Sequence, residues 1–160
     1  MTKKRGYHHG NLRQALVEAA LALIEEKGPT GFTLSEAAKA AGVTPAAVYR
    51  HFAGRDDLIA EAARQGFEVF ADLLEHAFEK GRPSPLASLE ATGRAYLAFA
   101  RRFPGHYVAM FESGISMNHD PDLAMLSGRA LGVLEKAAVE LMAELPAEKR
   151  PPARMVSAHI

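Results

Sequence analysis

TLSEAAKAAGVTPAAVYRHF, residues 33–52, holds two helix starts and one helix stop in close succession. Thr33 is followed three residues later by Glu36, the spacing of a capping box: the hydroxyl accepts the Glu36 amide and the carboxylate reaches back to the Thr33 amide. A helix is therefore predicted from Leu34. Ala37, Ala38 and Ala41 give it a small-residue face for close packing, and Gly42 supplies the left-handed residue that ends it. Thr44 caps a second helix with Pro45 at its first position. That helix is predicted to end in Tyr49, Arg50, His51 and Phe52, with Val48 and Phe52 inward and Tyr49, Arg50 and His51 outward. Two short helices joined by a tight turn are a helix-turn-helix, and its natural partner is double-stranded DNA.

On the N-terminal side, Asn11 and Gln14 stand in a capping-box-like relation, and Gly28 with Pro29 closes a helix. Leu12, Ala15, Leu16, Ala19, Ala20, Leu23 and Ile24 form one apolar stripe. Arg13, Glu18, Glu25 and Glu26 are placed on the solvent side, and Phe32 is expected to plug the small core. After Gly54, Asp56 and Asp57 complement the dipole of a long connecting helix over residues 55–80. Residues 82–85 break it, and helical spacing resumes over 86–102. A shorter helix is predicted around 106–113 and another from Asp120 and Pro121 to about Leu145, with Leu123, Leu126, Leu131, Leu134, Ala138, Leu141 and Met142 as its apolar positions. Strand-like alternation is absent, so the fold class is all-α.

A chain of 160 residues can bury a real core. It has no cysteine, hence no disulfide framework, thiolate nucleophile or Cys-based zinc site. No run approaches the roughly 18 apolar residues of a membrane span, and a cytoplasmic location is expected. Formal net charge is zero, but residues 1–53 carry +3 and the remainder −3. A basic N-terminal third on an acidic body is the asymmetry expected when one end meets phosphate. A solvated surface also produces imbalances of this size.

Residues 7–13 (YHHGNLR), 32–52 and 54–62 (GRDDLIAEA), in this order and spacing, resemble the N-terminal domain of TetR-family transcriptional regulators. Residues 104–111 (PGHYVAMF) are similar to a segment common in regulators that also begin with YHHG. The resemblance implies an N-terminal arm over residues 1–9, a DNA-binding head over 10–70 and a helical effector-binding and dimerisation domain over 71–160. It further implies a homodimeric repressor that leaves a palindromic operator when a small-molecule effector binds. Family members are usually longer, and their last two helices build the dimer interface. Residues 153–160 (ARMVSAHI) resemble the opening of the first of these, so the C-terminal helices are expected to be missing from this chain.

By position in that resemblance, Pro45, Ala46 and Ala47 sit at the exposed first turn of the recognition helix, where family members touch base edges. None of them donates a side-chain hydrogen bond. Their readout is limited to apolar contact with thymine methyls, and Arg50 or Ser35 would supply hydrogen-bonded base contacts. The alternative is that the alanines are ordinary helix formers. Thr33, Ser35, Thr44, Tyr49, His51 and Arg55 bear groups suited to phosphate oxygens; Thr33 and Thr44 are also explained as caps, and Tyr49, by resemblance a backbone contact, has burial of its ring as the lesser alternative. Lys3, Lys4, Arg5 and Tyr7 are either an arm along the adjacent backbone or a solvated terminus.

In the body, Phe67, Phe70, Tyr96, Phe99, Phe103, Tyr107, Met110 and Phe111, with Met117 and Met125, are each explained as helical core. The resemblance places the effector cavity among these helices, and aromatic and thioether groups beside His106, Tyr107 and Glu112 suit an apolar or weakly polar ligand. The histidines (His8, His9, His51, His76, His106, His119, His159) have no metal-ligand spacing, and neither metal nor cofactor is expected. No Gly-rich phosphate loop or nucleophile motif points to an enzyme. The rival reading is a helical small-molecule binding or scaffold protein that has lost operator binding.

Overall fold

The structure, a computed structural model, describes residues 12–150. These form seven α-helices and a final 3-10 turn, without strands: α1 (Leu12–Lys27), α2 (Leu34–Ala40), α3 (Pro45–Val48), α4 (Arg55–Gly81), α5 (Pro85–Arg102), α6 (Pro104–Phe111) and α7 (Pro121–Ala143), then Ala147–Lys149. The Asn11 cap, the basic arm, His8, His9, His159 and residues 153–160 lie outside the described residues. No helix among the described residues is long and apolar enough to cross a membrane.

α1 contacts α2, α4 and α6 together, and this changes which of its residues are covered. Val17 is fully buried with Leu12, Leu16, Ala20 and Ile24, whereas Ala15, Ala19 and Leu23 are only half-buried. A single-stripe reading assumes one partner; a helix wedged among three buries a wider arc. Phe32 is buried in the head, as its position suggested.

α4 forms the spine, packing on α1, α5, α6 and α7. It runs unbroken through residue 70, so no linker separates the first and second halves of the chain. At its C-terminal end a Cβ on Gly81 would meet the backbone of Ser88 at 2.3 Å, so glycine is what lets α5 turn back this closely. Ser84 caps α5, and the Ser88 hydroxyl donates to the Phe78 carbonyl at 3.0 Å across the hairpin.

Helices α6 and α7 differ in extent from the sequence expectation. α6 starts at Pro104 rather than 106, because proline takes the first turn and the Gly105 amide donates to Glu25 of α1 at 3.1 Å. At its other end the Ser113 hydroxyl folds back onto the Ala109 carbonyl, outside the helix. α7 stops at Ala143 rather than 145, where the Arg150 guanidinium donates to the Ala143 and Leu145 carbonyls. The buried face of α7 is Leu123, Ser127, Ala130, Val133 and Ala137, whereas Leu126, Leu131, Leu134, Ala138, Leu141 and Met142 are half-buried. Small residues at the contact let α7 lie close to α4, and the larger leucines flank the seam.

Candidate nucleic-acid interface

The turn between α2 and α3 is fixed at both ends by local hydrogen bonds. Thr33 Oγ1 accepts the Glu36 amide at 3.2 Å while Glu36 Oε2 accepts the Thr33 amide at 2.8 Å, completing the capping box. Lys27 of α1 donates to the other Glu36 oxygen at 2.8 Å. These contacts hold the Glu36 carboxyl at about 2, chiefly through Lys27 and then the Thr33 amide. α2 ends in a Schellman motif: the Val43 amide donates to the Ala38 carbonyl and the Gly42 amide to the Lys39 carbonyl, with Gly42 at φ 72°. Thr44 Oγ1 then accepts the Ala47 amide at 3.3 Å and opens α3.

α3 is shorter than its sequence suggests. Regular helix covers only Pro45–Val48, and Tyr49, Arg50 and His51 continue as turns, with the amides of His51 and Phe52 both donating to the Val48 carbonyl. Val48 and Phe52 are buried and anchor the segment. Thr33, Ser35, Thr44, Pro45, Ala46, Tyr49 and Arg50 are exposed, Tyr49 by 62%, and Ala47, His51 and Arg55 are half-buried. Thr44, Ala47, Arg50 and His51 line one shallow depression of about 310 Å³ with Leu12, Gly42 and Val43.

Arg55 sits differently from the other candidates. Its guanidinium carbon lies 5.1 Å from the centre of the Phe32 ring and Nη1 pairs with Asp56, while Nε and Nη2 are buried without a hydrogen-bond partner among the described residues. It is therefore part of the packing beneath the head, with one edge facing outward.

Arg13 is exposed, as the sequence placed it, and from the surface it also ties three parts of the head together. It donates through Nη1 to the His51 carbonyl at 3.0 Å and through Nη2 to Glu61 at 2.8 Å, and lies 4.6 Å from the Phe52 ring centre. Glu25 is likewise exposed, and its carboxylate accepts the Gly105 amide. These partners are 38 to 80 residues away in the chain, and no periodicity or motif reports such pairs.

The eight residues considered for a ligand come together between α4, α5 and α6. Phe70 meets Phe99 at 4.8 Å and Tyr96 at 5.2 Å between ring centres, Phe67 meets Phe111 at 5.5 Å, and Phe103 and Tyr107 join through Phe99 and Phe111. Met110 packs against Gly66, where a Cβ would meet its sulfur at 2.5 Å. The Tyr96 and Tyr107 hydroxyls are 3.3 Å apart; burial and then this contact push the Tyr96 hydroxyl up to about 12. Burial lowers the pKa of His106 from its ordinary value, against the opposing pull of Glu25. Met125 points outward from α7, 63% exposed, away from the cluster. Among the described residues no three His, Cys, Asp or Glu side chains are grouped to hold a metal.

A family model described as bacterial regulatory proteins, tetR family, matches residues 16–62, and one described as tetracyclin repressor-like, C-terminal domain, matches residues 89–160. The uncharacterized HTH-type transcriptional regulator YobS of Bacillus subtilis (strain 168) is 26% identical over 132 residues, covering 82% of this chain. The chain spans 65% of the length of that relative. A structure of a protein with unknown function from Rhodococcus sp. RHA1 superposes with a TM-score of 0.72 at 26% identity, covering 97% of this chain and 81% of the other. A structure of AibR in complex with isovaleryl coenzyme A and operator DNA has a TM-score of 0.68 at 20% identity, covering 92% and 82%, a likeness of fold.

Proposed function

Since the chain belongs to the TetR family of bacterial regulatory proteins, we propose that it is a sequence-specific DNA-binding transcriptional regulator, a homodimeric repressor that a small molecule releases from its operator. The observation that carries this reading is the α2–α3 unit. Its turn is closed by a Schellman motif, both helices have side-chain caps, and Val48 and Phe52 fix its inner side. Pro45, Ala46, Tyr49 and Arg50 are left on the outside of a rigid mount.

In this proposal α3 enters the major groove. Pro45, Ala46 and Ala47 make apolar contacts with thymine methyls, Arg50 or Ser35 makes the hydrogen-bonded base contact, and Thr33, Thr44, Tyr49 and His51 bind phosphate oxygens. Arg55 contributes its outward edge to phosphate and its inner edge to Phe32. Residues 10–70 act as the head and 71–160 as the effector domain, with α4 as the shared lever. An apolar or weakly polar effector would enter by parting the rings around Phe70, Tyr96 and Phe111. It would favour a state in which α4 swings and the two heads no longer match successive major grooves. The pairing of operator DNA with a small molecule in AibR supports a regulator of this kind.

The test is selection of duplexes from a random pool by the purified chain at physiological salt. A palindrome with half-sites about one helical turn, or a simple multiple, apart is the expected outcome. Recovery of no motif by folded protein would replace the proposal with a helical binding or scaffold protein.

A further inference from the structure

Two polar links join the segment that follows α3 to the segment that precedes α7, and both cross α4. In the first, Arg13 donates to the His51 carbonyl and to Glu61 Oε2. Arg64 donates to the same Glu61 oxygen at 2.6 Å and, through Nη1, to Asp120 Oδ2. The other Asp120 oxygen caps α7 by accepting the Leu123 amide at 2.8 Å. In the second, the Ala53 amide donates to Asp57 Oδ2 at 3.0 Å, and Asp57 Oδ1 faces His119 Nε2 at 2.9 Å. A cavity of about 530 Å³, lined by members of both links, opens between them.

We propose that these links form a latch through which the first turn of α7 positions the C-terminal end of the recognition helix. The proposal rests on the DNA-binding reading above. Three features support it. α3 has four residues of regular helix, so its orientation depends on what holds residues 51–53. The central carboxylate, Glu61, is only 16% exposed and takes both arginines on one oxygen, so displacing Arg64 disturbs Arg13 directly. Asp120 serves at once as the cap of α7 and as the end of the chain of charges. A displacement of α7 from α4 is thereby felt at the His51 carbonyl and the Ala53 amide. Arg64 and His119 are positioning residues for duplex binding and touch no DNA.

The test is the double substitution Arg64→Gln with His119→Ala in the whole chain, which cuts both links on the body side without altering the Arg13 and Asp57 side chains themselves. Arg129→Gln, which breaks an exposed cluster with Asp72 and Glu75 outside the latch, is the control. Hydrogen exchange should speed up in peptides covering 49–57 as well as 119–124 in the double variant only. Affinity for the selected duplex should fall about fivefold or more. The slope of affinity against salt should stay unchanged, since no phosphate contact is removed. Faster exchange confined to 119–124, or unchanged duplex affinity, would overturn the latch. If the double variant does not fold, Asp120→Asn keeps an acceptor for Leu123 while weakening the first link, and the same comparison decides. Should the native chain bind no duplex, the DNA-binding reading fails, and the exchange comparison still decides the latch.

Discussion

Glu36 shows how one side chain ties a local motif to its surroundings. The capping box was legible because Thr33 and Glu36 are three residues apart; the Lys27 contact was not, since it depends on how α1 ends beside α2. The folded carboxyl sits near 2, below its ordinary 4.5, so its contribution to stability is complete above 4.5 and is lost as pH falls through about 2. Melting temperature followed against pH should show Glu36→Gln less stable than native at neutral pH, with the gap closing on acidification. Tyr49 and Arg55, grouped together as phosphate contacts, now separate. Tyr49→Ala removes an exposed ring and should leave the melting temperature unchanged while weakening all duplexes by about 1–2 kcal/mol. Arg55→Ala also uncovers Phe32 and should lower both stability and affinity, which melting and titration together would report.

Among the elements, helix starts marked by a side-chain cap were easier to locate than the uncapped start of α6 or the helix ends. Thr33, Thr44 and Asp120 each accept an amide in the first turn of the following helix, and such caps are written in adjacent residues; Ser84 does the same for α5, where the sequence showed only a break. The ends of α3 and α7 depend on distant or irregular partners, so they fell short of the expected positions. Gly81 and Gly132 make the same point for packing. Gly81→Ala would press a methyl into the Ser88 backbone and should cost about 1–3 kcal/mol. Gly132→Ala, on α7 where the added Cβ would meet no side chain or neighbouring element within 4 Å, should instead stabilise by roughly 0.5–1 kcal/mol. Paired thermal melts of the two variants would check the opposite signs.

For the whole molecule, α1 and α4 make head and body one packed unit, and the duplex selection and the latch variants address how that unit meets DNA. Sequence by itself determined that the chain is all-α, where the helix-turn-helix lies and which family the first 62 residues resemble, because caps, a stop glycine and apolar periodicity act between neighbours in the chain. Tertiary structure alone decided that the exposed Arg13 and Glu25 bond to His51, Glu61 and Gly105, that Arg55 lies on Phe32, and that the aromatic residues of α4, α5 and α6 interlock. These contacts join residues far apart in sequence, and their geometry is set by how closely helices approach, which depends on the small residues at each crossing rather than on any local pattern.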